Sequence, residues 1–143
     1  MLLYLDTCCF NRPFDEQAQV KIRLETEAKL HIQQLILEGK YKLAWSYVLD
    51  YENNLNPYVE RQSRILQWKN IAKKTCNEAE SILQEVEKLQ KLGLKVVDSL
   101  HIACAMYLQC AYIITTDTGM LNKNVPKITV VNPIDFVRKE SAA

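Results

Sequence analysis

The chain has 143 residues, 48% hydrophobic and 24% charged, with a formal net charge of +1. That balance is an ordinary soluble globule's and excludes a polycation, so attraction to nucleic acid has to come from local patches. Three glycines exclude a glycine-rich phosphate loop or dinucleotide fingerprint, and no stretch reaches the roughly 18 apolar residues of a membrane span.

Residues 2–6 read as a short buried strand, with MLLYL too short and too abruptly stopped by Asp6 for a signal peptide. CCFNRPFDEQ reads as a loop turned by Pro13, and Asp15 as the N-cap of a helix over 17–38 that Gly39 stops. A second strand follows at 41–46, then a short helix over 47–55 that ends before Pro57. Helices are predicted at 58–74, from Asn77 (a capping box with Glu80) to Leu92, and at 97–110. Ile82, Val86 and Leu89 form the buried stripe of the second of these, and Gly93 ends it. Strands at 112–116 and 128–131 and a short helix from Pro133 to Val137 complete the order β-α-β-α-α-α-α-β-β-α, with a frayed tail at 138–143. Such alternation points to one α/β domain, 1–143, with a mostly parallel sheet.

Five cysteines, an odd number without CxxC or Cys/His zinc spacing, point to a reduced cytoplasmic protein; Cys104 and Cys110 read as small core hydrophobes.

Four acids stand where strands end and helices begin. Asp6 follows MLLYL, Asp117 follows YIITT, Glu52 lies just beyond LAWSYVL, and Asp98 opens DSLHIACAMYL. Each alone has a plain explanation, as a cap, an Asx turn or a solvated helix acid. Together they fall along the edge where an open parallel sheet binds ligands, and four crowded carboxylates call for a cation. A ligand set that is all oxygen favours Mg²⁺ or Mn²⁺ over zinc and suits phosphodiester hydrolysis.

The same residues resemble the PIN-domain ribonucleases, with VapC-like toxins as the nearest group. LYLDT (3–7) resembles the family's first strand and first acid, and SYVLDYE (46–52) its serine followed six residues later by the second acid. VDSLHIACA (97–105) resembles the third-acid helix, and IITTDTGML (113–121) the strand and turn that carry the fourth. The resemblance spans about residues 2–131. It implies a Rossmann-like, three-layer α/β/α sandwich with a central, mostly parallel sheet, and metal-dependent cleavage of RNA. In the VapC-like group it also implies a cognate antitoxin and a homodimer. On this reading Asp6, Asp98 and Asp117 are direct or water-mediated ligands of Mg²⁺ or Mn²⁺, and Glu52 completes the site and orients the attacking water. Asp50 competes with Glu52, since the two lie about 200° apart on a helix and one alone can face the site; the serine spacing favours Glu52.

Thr7 and Thr115 lie beside or near these acids, where their hydroxyls read equally as holding a carboxylate or metal-bound water and as ordinary turn chemistry. Asn11 and Arg12 follow the first strand, with Arg12 a candidate for a phosphate or for an ion pair. His101, three residues after Asp98, reads more readily as a hydrogen-bonded core histidine than as an acid–base group. Residues 58–74 hold Arg61, Arg64, Lys69, Lys73 and Lys74 against Glu60, with Tyr58 and Trp68 among them. The pattern suits single-stranded RNA, although a solvated face over a buried Trp68 explains it slightly better. Two rival functions are a PIN-like module that binds RNA or protein without cutting, and a dehalogenase-type phosphatase. The phosphatase needs a second Asp at position 8, where the chain has Cys.

Overall fold

The computed structural model describes residues 1–141. Five strands, β1 (Leu2–Leu5), β2 (Lys42–Ser46), β3 (Lys74–Cys76), β4 (Tyr112–Ile114) and β5 (Thr129–Val131), form one parallel sheet in the order β3-β2-β1-β4-β5. The helices are α1 (Thr7–Asn11), α2 (Val20–Leu37), α3 (Tyr47–Asn54), α4 (Val59–Ile71), α5 (Glu80–Gln90), α6 (Val96–Tyr107), α7 (Thr118–Leu121) and α8 (Pro133–Ser141), with a 3-10 turn at Arg12–Phe14.

Register assigns the two faces. Leu3 pairs with Leu43 and with Tyr112, and Tyr4 pairs with Ala44. Alternation then puts Leu3, Trp45 and Tyr112 on one face and Tyr4 and Ser46 on the other. The first face meets α2 and α8: Phe136 packs edge-on against Tyr112 and Tyr41, and Phe10 packs against Trp45. The second meets α6, whose His101 bonds Tyr4, and α6 in turn packs on α5. The result is an α/β/α sandwich. Leu3 and Leu5 at its centre are wholly buried, each contributing roughly 1.5–3 kcal/mol by transfer from water. Helical connections leave β1 toward β2 on one side, and the chain returns from β3 to β4 on the other. The switch between β1 and β4 opens a crevice at the strands' C-terminal ends.

The predicted elements differ from the observed ones at identifiable points. The expected loop after Asp6 is helical through Phe14, because the Asp6 side chain caps α1 by accepting from Thr7 N–H at 2.7 Å. Asp15 does not cap α2, whose N-cap is Gln19; it closes the 3-10 turn and pairs with Arg12. The expected capping box at Asn77 is absent, and α5 starts from Ala79. The predicted helix over 58–74 stops at Ile71 because Lys74–Cys76 joins the sheet edge beside β2. The tail expected to fray continues α8 through Ser141, with Phe136 buried beneath it, while positions 142–143 lie outside the described residues. Gly39 and Gly93 follow α2 and α5 at φ +82° and +95°, the left-handed conformation that favours glycine. All five cysteines are free. Among the described residues no helix is long and apolar enough to cross a membrane.

Candidate metal centre

Asp6, Glu52, Asp98 and Asp117 line one cleft of about 360 Å³ at the C-terminal edge of the sheet, together with Thr7, Cys8, Asn11, Asp15 and His101. Each acid arrives from a different element. Asp6 ends β1, where its N–H donates to Ile114 O at 3.0 Å and so ties it to β4. Ser46 caps α3 by accepting from Leu49 N–H, and the helix carries Glu52 to the cleft one and a half turns on. Asp98 sits in the first turn of α6, not at its cap, which is Lys95. Asp117 caps α7 by accepting from Gly119 N–H at 2.8 Å.

Asp6 is the hub. It is 5% exposed, and its Oδ2 accepts from the Thr115 hydroxyl at 2.9 Å and from the Cys8 thiol at 3.2 Å. Thr115 also accepts from Asp117 N–H at 3.0 Å, so one buried hydroxyl spaces the first acid from the fourth. Thr7 donates to Glu52 Oε1 at 2.5 Å. Asn11 donates to Thr7 O and accepts from Asn56, which holds its side chain at the rim. Arg12 is not among the residues that line the cleft. Its guanidinium is held between Asp15, at 2.9 Å, and the buried Glu25, at 3.3 Å, so its position is that of an ion pair and not of a group reaching toward the acids.

Asp50 is turned the other way, accepting from Trp45 Nε1 and pairing with Lys69. The cations of α4 are similarly engaged: Arg61 donates to Phe14 O and stacks on Tyr58, Arg64 pairs with Glu60, and half-buried Trp68 packs on the core.

The sequence did not point to Cys8 or Asp15 as members of this cleft, and it raised His101 through its helical spacing from Asp98 while favouring a core role. His101 is 1% exposed, which fits the expected core histidine, yet its Nε2 faces the acids, contacting Glu52 Oε1 and lying 3.3 Å from Asp6 Oδ1. Burial by itself would lower the pKa of His101, but Asp6 and Glu52 outweigh it and raise the value. For Glu52, burial acts upward, while the bonds from His101 and Thr7 prevail and lower it. Asp98 is pushed up to about 6, by burial first and then by the negative charges of Asp117 and Asp6. Five acids thus crowd a cleft whose one titratable base is His101. Asp6, Glu52 and His101 each offer a ligand atom within 4.8 Å of the others. Asp98 and Asp117 line the same cleft outside that close triplet, and the mutual repulsion of these acids is what a hard divalent cation relieves, so the residues fit a metal.

Among solved structures the fold is similar to a toxin–antitoxin complex from Klebsiella pneumoniae, at 18% identity over 92% of this chain and 97% of the other, with a TM-score of 0.62. It is also similar to VapBC-1 from nontypeable Haemophilus influenzae, at 17% identity, 93% and 98% coverage and a TM-score of 0.61. A third likeness is to FitAB bound to a DNA fragment, at 20% identity, 94% and 96% coverage and a TM-score of 0.62. No curated protein sequence matches. The sequence model of the PIN domain, in contrast, matches residues 3–125, a span that takes in all four acids. On that match the chain belongs to the PIN domain family.

Proposed function

We propose that the chain, acting as one domain, is a Mg²⁺- or Mn²⁺-dependent endoribonuclease, the toxin of a cytoplasmic toxin–antitoxin pair. The observation that carries this reading is the convergence of Asp6, Glu52, Asp98 and Asp117 on one cleft. Asp6, Asp98 and Asp117 would hold the cation, and Glu52 would complete the set. The chemistry a divalent ion brings to such a site is Lewis acidity toward a phosphodiester and toward water. The chain's own residues do the rest. Thr115 and the Thr7 N–H fix Asp6 in place. Thr7 and His101 hold the Glu52 carboxylate at the cleft, where it would orient the attacking water. Asn11, at the rim, offers an amide to the substrate's sugar or phosphate. The antitoxin partner is supported by the complexes to which the fold is similar, and the homodimer by the resemblance to VapC-like toxins.

The test is cleavage of a mixed pool of short RNAs with Mn²⁺, Mg²⁺ or EDTA, comparing wild type with Asp98→Asn. Metal-dependent cutting that is lost in the variant is the expected result. A wild type that neither cuts nor binds a divalent ion would overturn the reading in favour of a non-catalytic binding module.

A further inference from the structure

The hydrogen bonds behind His101 have a direction. Its Nδ1 lies 2.6 Å from the Tyr4 hydroxyl, which lies 2.6 Å from Ser46 Oγ, which accepts from Leu49 N–H at 3.3 Å. Tyr4, Ser46 and His101 are all at most 1% exposed, so no water competes for these bonds. In the metal-free protein Nε2–H donates to Glu52; a metal ion would displace that proton, and with Nδ1–H donating to Tyr4 and the Tyr4 hydroxyl to Ser46 the freed Nε2 lone pair would face the ion beside Asp6 and Glu52. A histidine that binds a metal shows this arrangement: its remote ring nitrogen is anchored, which fixes both the tautomer and the ring plane.

We propose that His101 Nε2 is an inner ligand alongside Asp6 and Glu52, making the cradle a mixed nitrogen–oxygen site selective for first-row transition ions over Mg²⁺. The inference rests on the divalent-metal reading above and refines which ions the cleft takes. An all-oxygen site suits Mg²⁺, which resists dehydration and keeps its waters. An imidazole in the set adds affinity for Co²⁺ or Zn²⁺ and little for Mg²⁺. The buried position of the ring suits this role, because a ligand that cannot swing away costs less ordering when the ion arrives.

The experiment uses the full chain and the metal ions alone, without RNA. Mn²⁺-loaded wild type is examined by pulsed electron paramagnetic resonance for coupling to an imidazole nitrogen, and Co²⁺ and Mg²⁺ affinities are measured by calorimetry for wild type, His101→Asn and Tyr4→Phe. The expected result is nitrogen coupling in wild type. Co²⁺ affinity should fall about 10- to 100-fold in His101→Asn and roughly 10-fold in Tyr4→Phe, with Mg²⁺ affinity changed less than about threefold. A purely structural role for His101 would weaken both ions alike. Wild type that binds Mn²⁺ without nitrogen coupling would overturn the inference and leave the acid cradle standing; wild type that binds no divalent ion would overturn both. Because the resonance measurement needs no variant, failure of His101→Asn to fold leaves the proposal decidable.

Discussion

The indole N–H of Trp45 donates to Asp50 Oδ1 at 2.9 Å, and that bond separates the two acids of α3. Asp50 is drawn toward Trp45 and Lys69, while Glu52, two residues on, reaches Thr7 and His101 at the cleft. Glu52→Gln should therefore lower RNA cleavage about 100-fold or more, the scale of a lost acid–base group. Asp50→Ala should leave cleavage within about threefold yet cost roughly 1–2 kcal/mol, because the buried indole loses its acceptor. Single-turnover cleavage and urea unfolding of both variants check this, and equal losses of activity would mean that α3 presents both acids to the substrate.

Thr115 links the first and fourth acids through one hydroxyl, donating to Asp6 and accepting from Asp117 N–H. Thr115→Val keeps the shape and removes both bonds. Unfolding free energy should fall by about 1–3 kcal/mol and Mn²⁺ affinity by roughly 10-fold, with Thr115→Ser close to wild type in both. Urea titration and calorimetry decide it; a Val variant with unaltered metal affinity would show that β4 holds Asp117 without help from this hydroxyl.

What was legible in the sequence was what periodicity and punctuation encode. The buried stripe Ile82, Val86, Leu89 and the stops at Gly39 and Gly93 are repeated in the structure, and the strands that precede Asp6 and Asp117 are where their apolar runs put them. What was not legible depended on partners distant in the chain. Lys74–Cys76 has no apolar run of its own and is a strand because β2 offers it an edge. Thr7–Asn11 is too short to show a helical period, and its cap is the same Asp6 read as a ligand. His101 looked like a core residue, and it is buried like one; its bearing on the cleft depends on Tyr4, 97 positions away.

Asp98 is held up to about 6 by burial and by Asp117 and Asp6. With the folded value above the ordinary 3.8, the metal-free folded protein binds more protons than the unfolded chain between those two pH values. Stability on this group's account therefore falls as pH rises from 3.8 to about 6, and the deficit persists above. Asp98→Asn removes it. Discounted for the solvent that reaches this carboxyl, the gain in EDTA at pH 7 should be on the order of 1 kcal/mol and should vanish below pH 3.8. The same variant should lose cleavage. Saturating Mn²⁺ should reverse the order of stability, because the ion favours the folded wild type by mass action. Thermal unfolding with and without Mn²⁺ tests the reversal, and a variant no more stable than wild type in EDTA would show that the acids do not repel in the free protein.

Lys29 tests whether the opposite side of α1 also carries unrelieved charge. It is 3% exposed, its ammonium lies 5.5 Å from the Phe10 ring, and it lines a groove of about 590 Å³ with Phe14, Gln33, Arg64 and Trp68 but with no acid. Burial lowers its pKa from 10.5 to about 8, only partly opposed by Cys9. Between those values the unfolded chain binds more protons than the folded one, so stability on this group's account rises with pH through the window, and the full penalty is present at pH 7. Lys29→Met keeps an unbranched side chain in the buried position and deletes the charge. At roughly 1.4 kcal/mol for each pH unit, the variant should be more stable than wild type by on the order of 3 kcal/mol at pH 7. The gain should shrink from about pH 8 and be gone near 10.5. Urea unfolding of both proteins at pH 7, 9 and 10.5 measures that difference. A gain that does not change with pH would show that packing, not desolvated charge, sets the cost of Lys29.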